Sequence, residues 1–355
     1  DDAADILADL TEDLRAGILE GMADEESEEI EELMQYAEDS AGGIMSPDFL
    51  ALDKELTARE AIVALQQNPE AEAVFYVYTV NEEGTLVGVL SLRQLLLVPP
   101  STQLKEVMES DVLSAPVTMD QEEVAAIVAR YDLIALPVVD EFNKLVGIIT
   151  VDDVIDVLRE EATEDMMLMA GVGDEDVALA STVGAVRSRL PWLLASVAGG
   201  LGAALLIGAF EEELLKAATL AAFIPIVIGL GGNVGVQAST IVVRGIAMGQ
   251  LDPAKFLVAL LHELRVVLVI AVICASVVAA VSLFMSSGQG ELAGAVATSL
   301  LVVMTFGALL GTSVPMVSHR FGIDPAVATG PILTTSIDVV GVLIYFLVAK
   351  AWLGI

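Results

Sequence analysis

The sequence predicts a multidomain protein with an α-helical N-terminal segment, a duplicated α+β module and an all-α polytopic membrane domain of five transmembrane helices. Two observations on composition support this fold class. The 355 residues are 55% hydrophobic, and their mean hydropathy of +0.73 is too high for a wholly soluble protein. Residues 1–180 nevertheless contain 43 acidic and 8 basic residues, whereas residues 181–355 contain 8 of each. An acidic soluble half is therefore joined to an apolar half.

The unequal charge also narrows the classes of partner. The net charge of −35 belongs entirely to the first half, so this half attracts cations, and nucleic acid is not expected as a partner. Cys274, the single cysteine, lies in an apolar run, which excludes an intrachain disulfide and a cysteine-rich metal site. These features are compatible with a reducing cytosol.

Residues 1–40 are predicted to be helical, because apolar residues recur there at three- and four-residue spacing. The helical pattern is present from the first residue, so we expect this segment to be the last helices of a larger acidic domain. Its acids, among them Asp1, Asp2 and Asp5, are interpreted either as a solvated face or as partners in metal-linked contacts.

A duplication organises residues 41–160. The sequence Leu-Val-Gly-Val-Leu-Ser at 86–91 recurs 59 residues later as Leu-Val-Gly-Ile-Ile-Thr at 145–150. A methionine, a helical pattern and a β-rich run lie upstream of each copy, so each unit is predicted to be βαββα. The two units span about 44–100 and 104–160.

Two such units resemble a tandem CBS pair, a regulatory module that often binds adenine nucleotides. The resemblance is carried by Leu-Pro-Val-Val-Asp at 136–140 and Gly-Ile-Ile-Thr-Val-Asp-Asp at 147–153. It implies an ATP site of the pattern Gly-x-x-Thr-x-x-Asp, but Gln94 stands at the Asp position of the first unit. Nucleotide binding is therefore left open. The residues assigned to a bound nucleotide are Tyr76, Arg93, Thr150 and Asp153.

An acidic helix follows the second unit. Four carboxylates step by three or four residues and so share one helical face, where like charges destabilise a helix by about 0.2–0.5 kcal/mol per pair. They are Asp153, Asp156, Glu160 and Glu164. Two interpretations stay open: a solvated surface, or a sensor in which Mg²⁺ bridges acids and retains most of its water. Residues 161–188 are predicted to form the connecting helix, with a joint at Gly171-Val172-Gly173-Asp174.

Five membrane spans are predicted within residues 189–355, because roughly 20 apolar residues cross a bilayer core of about 30 Å. They lie at about 190–210, 217–247, 265–286, 291–318 and 326–353. If the N-terminus is cytosolic and the C-terminus external, six basic residues lie at the cytosolic ends of the spans and only Lys216 and Lys350 at the external ends. This excess of basic residues on the cytosolic side favours that orientation. The six are Arg187, Arg189, Arg244, Lys255, Arg265 and Arg320.

Two connections between the spans also carry a prediction. Residues 252–264, which begin Asp-Pro, are predicted to form an interfacial helix. Glu211, Glu212 and Glu213 lie at an outer mouth, either as a polar loop or as a group that concentrates divalent cations.

Two spans contain residues that are unusual in a membrane helix. The second span has Pro225, then Gly231, Gly232 and Asn233, which predict a helix break that lines a water-filled path; close helix packing at small residues is the alternative. The last span contains Asp338. A carboxylate at mid-membrane costs about 2.5–3.5 kcal/mol on insertion scales, so it must face a cavity, a partner or an ion.

Together these motifs resemble the MgtE family of magnesium channels. The resemblance is carried by Phe-Ile-Pro at 223–225, Gly-Gly-Asn-x-Gly-x-Gln at 231–237, Asp-Pro-Ala at 324–326, Ile-Asp-Val-Val-Gly at 337–341 and the domain order. It implies a homodimer in the lipid bilayer of the plasma (inner) membrane, with the ion path on the two-fold axis. Asp338 is then the pore residue, and the pore lining is assigned to Gly231, Gly232, Asn233 and Thr334. The regulatory Mg²⁺ sites fall among Asp120, Asp132, Asp153, Asp156, Glu161, Glu164 and Asp165.

The predicted function is import of Mg²⁺ into the cytosol, closed when intracellular Mg²⁺ binds the acidic domains. Mg²⁺ is usually held by one or two carboxylates with several waters retained, and two Asp338 side chains on a two-fold axis supply that pair. A proton-coupled secondary transporter of another substrate, regulated by CBS domains, is the alternative. An intramembrane aspartyl protease needs a second intramembrane carboxylate, which no span of the same chain supplies.

Overall fold

The computed structural model describes residues 2–8, 10–67, 75–172, 181–285 and 289–354. They form two compact units, Asp1–Glu161 and Ala162–Ile355, which are described separately below.

The first unit begins with three short helices, as the apolar spacing predicts. They are α1 (Asp2–Ala8), α2 (Glu12–Leu19) and α3 (Asp24–Leu33). Arg15 on α2 donates hydrogen bonds to the carbonyls of Leu7 (2.8 Å) and Ala8 (2.7 Å), which have no helical partner at the end of α1. Asp1 and the side chains of Asp2 and Asp5 lie outside the described part of the chain, so their predicted metal contacts stay predictions.

Each repeat folds as predicted into βαββα. The first comprises β1 (Ala51–Asp53), α4 (Ala58–Gln67), β2 (Tyr76–Val80), β3 (Leu86–Ser91) and α5 (Leu92–Leu97). The second comprises β4 (Ala115–Pro116), α6 (Gln121–Tyr131), β5 (Ala135–Val139), β6 (Leu145–Thr150) and α7 (Val151–Met169). In both sheets the first strand is parallel to the second, and the second is antiparallel to the third.

The two repeats are held together by reciprocal methionine contacts. A Cβ atom at Gly88 in β3 would lie 2.5 Å from the sulfur of Met108, which opens the second repeat. A Cβ atom at Gly147 in β6 would lie 2.5 Å from the sulfur of Met45, which opens the first. The glycine of each Leu-Val-Gly copy therefore makes room for a thioether of the other repeat, since no side chain fits there.

The predicted connection at 161–188 is interrupted at Gly171, the first residue of the predicted joint. The last helix of the second repeat, α7, runs without interruption to Met169, and Gly171 follows with a φ of +72°, which favours glycine. The next described helix, α8, begins at Thr182. Gly173 and Asp174 of the predicted joint lie outside the described residues.

The second unit contains five helices long and apolar enough to cross a membrane among its described residues, which confirms the predicted number of spans. They are α8 (Thr182–Ala209), α10 (Thr219–Ala247), α11 (Phe256–Met285), α12 (Gly290–Arg320) and α13 (Pro331–Leu353).

Two connections between the spans differ from the prediction. Glu211–Lys216 form a short helix, α9. The separate interfacial helix predicted at 252–264 is absent, because a 3-10 turn at Pro253–Lys255 leads directly into α11, which continues without a break.

The predicted break in the second span is also wrong, because α10 is continuous through its glycines. A Cβ atom at Gly307 of α12 would overlap the carbonyl oxygen of Gly231, and one at Gly311 would overlap that of Gly235. The two Gly-x-x-x-Gly segments therefore bring the backbones of α10 and α12 into direct contact, in parallel orientation. This is the small-residue packing by which membrane helices approach closely.

We expect Gly311→Ala to destabilise the membrane unit by about 1–3 kcal/mol or more, because the rigid backbone of α10 cannot move away from the new methyl group. Gly229→Ala is the matched control: no atom lies within 4 Å of its Cβ position, and alanine favours the helix. Thermal unfolding of both variants in detergent measures the difference. Equal unfolding temperatures would show that the two backbones are not in contact.

Candidate ion path and regulatory sites

Asp338 lies two turns into α13, a helix that begins at Pro331, where the fixed φ of proline suits the first turn. Its side chain is partly buried. Thr334 lies one turn earlier on the same face and donates a hydrogen bond to the Pro331 carbonyl (3.2 Å). Within the described ranges, no side chain forms a hydrogen bond or an ion pair with the Asp338 carboxylate. The charge is therefore left for a ligand or for water.

Contacts of the preceding residue fix the depth of this carboxylate. Ile337 packs into the space beside Gly235 and Gly231, so α13 runs along the glycine segment of α10. Asp338 therefore lies at the depth of the segment predicted to line the path.

The residues assigned to that lining divide into two groups. Gly231 is buried against Val303 and Gly307 of α12, so the structure contradicts its assignment to the lining. Gly232 has no atom within 4 Å of its Cβ position, and Asn233 is exposed. Of the residues of α10 that were assigned to the lining, only Gly232 and Asn233 are therefore available to a path.

One face of α10 is polar and exposed although the helix is long enough to span a membrane. Asn233, Gln237 and Thr240 lie on it at spacings of four and three residues. The Thr240 hydroxyl donates to the Val236 carbonyl (2.8 Å), but the two amides have no hydrogen-bond partner in the part of the chain that the structure describes. Unsatisfied amides are costly in hydrocarbon, so this face requires water or protein against it.

The other side of α13 and its far end are held by contacts that the sequence analysis did not identify. Thr335 fills the space beside Gly199 of α8. The Tyr345 hydroxyl donates to the Leu220 carbonyl (2.8 Å), and Lys350 forms an ion pair with Glu213 (2.7 Å). Glu213, one of the three acids at the predicted outer mouth, is thus paired with a lysine of the chain.

Most of the seven acids assigned to regulatory Mg²⁺ have a local partner. Asp120 caps α6 and accepts from the Glu122 amide (2.9 Å), Asp153 accepts from the Thr150 amide (2.9 Å), and Asp156 pairs with Arg159 (2.9 Å). Asp132 ends α6 with a φ of +52°, an uncommon backbone conformation outside glycine.

The remaining three acids lie along α7. Glu161 accepts a hydrogen bond from the side chain of Gln121, the residue after Asp120 in the sequence. Glu164 and Asp165 are partly buried further along the helix. Within the described ranges, no three His, Cys, Asp or Glu side chains are close enough to hold a metal ion together. The regulatory sites stay a prediction.

Two of the four residues assigned to a nucleotide line the same groove, and the assignment of all four to one site stays a prediction. Tyr76 and Arg93 line an open groove of about 540 Å³ beside α5, but Thr150 and Asp153 do not. The latter two form the cap of α7 in the second repeat. In the first repeat Gln94 takes the same capping role, since its side-chain oxygen accepts from the Ser91 amide (2.7 Å). The departure at Gln94 therefore preserves the local fold.

A smaller cavity of about 170 Å³ adjoins this groove and shares Tyr76 with it. Tyr78, Glu109 and Asp111 also line it. The Tyr78 hydroxyl is buried and has no partner among the described residues, and burial raises the pKa of this phenol above its usual value. It therefore stays protonated and able to donate a hydrogen bond.

Comparison with known proteins places the chain in a family. The MgtE model, described as a divalent cation transporter, matches residues 224–348; the CBS domain matches 41–100 and 104–160; and the MgtE intracellular N domain matches 1–39. The magnesium transporter MgtE of Bacillus subtilis is 38% identical over 99% of this chain and 78% of that protein. The chain belongs to the MgtE family.

A further curated relative agrees with this assignment. The magnesium transporter MgtE of Thermus thermophilus is 38% identical over 91% of this chain and 72% of that protein. A solved structure of the cytosolic domain of the Mg²⁺ channel MgtE in complex with ATP is 43% identical; the match covers 41% of this chain and 58% of that one, with a TM-score of 0.40. The MgtE family consists of transporters, not enzymes, and the predicted order of helical segment, CBS pair and five-helix membrane domain is confirmed.

Proposed function

We propose that this chain imports Mg²⁺ through a path that Asp338 and the polar face of α10 form between two copies in the plasma membrane. One observation carries the proposal: a carboxylate without a protein partner in the described part of the chain lies at the same depth as an exposed row of amides. Both features are costly in lipid and favourable beside a hydrated cation.

The ligand chemistry favours Mg²⁺. It prefers oxygen ligands, keeps several waters and takes one or two carboxylates. Asp338 supplies a carboxylate, and the amide oxygens of Asn233 and Gln237 can accept hydrogen bonds from retained waters. Softer metals are expected to use His or Cys, and neither residue occurs in the sequence of α10 or α13.

A second copy of the chain completes the site in this proposal. One Asp338 provides a single charge, whereas a two-fold axis beside α10 provides a pair and covers the exposed amides of both copies. The excess of Lys and Arg at one set of helix ends supports a cytosolic N-terminus and an external C-terminus.

Asp338→Asn should lower Mg²⁺ uptake at least about tenfold, because it removes the ion-holding charge while retaining the shape of the side chain. Uptake is measured in proteoliposomes that contain a Mg²⁺-sensitive dye, without a proton gradient. Ser336→Ala on the same helix is the control, since its hydroxyl only donates to the Ile332 carbonyl (2.8 Å). Wild-type uptake by Asp338→Asn would remove Asp338 from the mechanism, and a strict need for a proton gradient would favour the coupled transporter.

We also propose that cytosolic Mg²⁺ closes the path through the acidic half. This half carries the whole net charge of −35, and self-repulsion favours a splayed arrangement until bridging cations bind. Shifting a two-state equilibrium from 1:99 to 99:1 takes about 5.5 kcal/mol, which several weak sites can share. The contact between Glu161 and Gln121, next to Asp120, supports a site between α6 and α7.

Neutralising four acids of α7 to the corresponding amides should raise the Mg²⁺ concentration that half-closes the path about tenfold, because each lost site weakens the closed state. The four are Asp153, Asp156, Glu161 and Glu164. A control with the same change in charge neutralises exposed acids away from α7, namely Glu82, Glu83, Glu106 and Glu141. Uptake against internal Mg²⁺ is the measurement. Equal shifts in both variants would mean that only total charge matters.

The groove beside α5 is proposed as the site for ATP. Arg93 offers a charged donor to phosphate, and Tyr76 offers an aromatic face to the base.

Arg93→Ala should weaken ATP binding at least about tenfold, the equivalent of losing one hydrogen bond to a charged group. Isothermal titration of ATP into the full chain measures the affinity, and Arg59→Ala, an exposed arginine outside the groove lining, is the control. Unchanged affinity in Arg93→Ala would exclude this groove.

A further inference from the structure

We propose that Arg244 sets the direction in which the ion path conducts best, because it places a fixed positive charge at the cytosolic end of that path. Arg244 lies in the last turn of α10 and is exposed. The proposal rests on the proposed path and goes beyond it. Asp338 and the amides of α10 hold the cation there, whereas Arg244 lowers the number of cations that enter from the cytosol.

Arg244 continues the polar row of α10. The row has spacings of four, three and four residues and consists of Asn233, Gln237, Thr240 and Arg244, all exposed. At 3.6 residues per turn, the four lie about 140–200° around the helix from Gly235, which contacts α12. Arg244 is therefore on the same face as the amides that the proposed function puts beside the path.

The glycine contacts give the separation between this charge and the intramembrane carboxylate. Ile337 packs beside the two glycines that flank Asn233, so Asp338 lies near the height of Asn233. Arg244 is eleven residues further along α10, about 16 Å at 1.5 Å per residue. The cation is thus at the end of the path rather than at the ion-holding carboxylate, and with a cytosolic N-terminus this end of α10 is the cytosolic one.

The charge of Arg244 is not neutralised by the described part of the chain. Arg244 forms no ion pair there, whereas Lys255 and Lys350 each have a carboxylate partner. Arginine stays protonated in proteins, so the positive charge is permanent. A hydrated cation that approaches this end of the path is therefore repelled.

A fixed positive charge at one mouth makes conduction depend on the sign of the voltage. Two such charges, one from each copy, lower the concentration of a divalent cation at about 8 Å about threefold when the Debye length is also about 8 Å. Cations from the cytosol meet this depleted zone first, whereas cations from outside meet it only after the voltage has carried them across. The charge drives no net flux by itself, but it limits outward current more than inward current.

Excised membrane patches of known orientation, with equal Mg²⁺ on both sides of the full chain, test the proposal. The current through single openings is compared at about −100 and +100 mV, because closure by internal Mg²⁺ changes how often the path opens and not the size of an opening. The wild type should pass more inward than outward current. Arg244→Gln should lower the ratio of inward to outward current about threefold, and Arg244→Lys, which keeps the charge, should retain the wild-type ratio.

Arg320→Gln is the matched control, because it removes the same charge at the same height. Arg244 and Arg320 each lie nine residues beyond a glycine of the facing pair Gly235 and Gly311. Nine residues are two and a half turns, so Arg320 is on the face of α12 that points away from α10. Its removal should leave the current ratio unchanged.

Ionic strength provides a second measurement that needs no variant. About 1 M of a salt that does not permeate shortens the Debye length to about 3 Å, so the wild-type ratio should fall to that of Arg244→Gln. A wild-type ratio that is insensitive to salt would overturn the proposal, also in the case that Arg244→Gln does not fold.

An unchanged ratio in Arg244→Gln, or an equal change in Arg320→Gln, would likewise overturn the role of Arg244 and leave the ion path itself intact. Failure of the proposed function has a different signature. Single openings of wild-type size in Asp338→Asn, or no Mg²⁺ current in the wild type, would remove the path and the role of Arg244 with it.

Discussion

Direct contact between the backbones of α10 and α12 is the constraint on which the membrane unit depends. Gly231 and Gly235 meet Gly307 and Gly311 without a side chain between them, so the register of the two helices is fixed. Ile337 of α13 then packs beside the same glycines, which sets the depth of Asp338. The polar face of α10 is left on the side away from this contact. A packing motif thus determines where the charge and the amides lie.

The first unit, Asp1–Glu161, must remain folded although its many acidic residues repel one another. Its cores are apolar, and the carboxylates lie outside them or act as helix caps, as Asp120 and Asp153 do. Met45 and Met108 cross between the repeats and enter the spaces left by two glycines, so the pair of repeats is joined by uncharged contacts. Such contacts do not weaken when the ionic strength changes, unlike surface ion pairs.

The sequence predicted the helices and strands better than the contacts that they make with one another. Hydropathy and periodicity gave five spans, two βαββα repeats and the isolated intramembrane acid, because each is a local property. The glycines of α10 were interpreted as a break because breaking and close packing use the same residue type, and the choice depends on Gly307 and Gly311 far along the chain. Likewise, the assignment of Thr150 and Arg93 to one nucleotide stays a prediction, because a motif does not reveal which residues share a groove.

The absence of side chains between α10 and α12 also has a mechanical consequence. Two helices separated by side chains can slide past each other, because the side chains can change rotamer. Two backbones in direct contact cannot adjust in this way, so small displacements meet steep repulsion. The two helices α10 and α12 therefore move as one rigid body. If the path beside Asn233 widens, α10 and α12 must move together, and another part of the membrane unit must deform. We expect α8 to deform most easily, because it is the least buried of the five membrane helices.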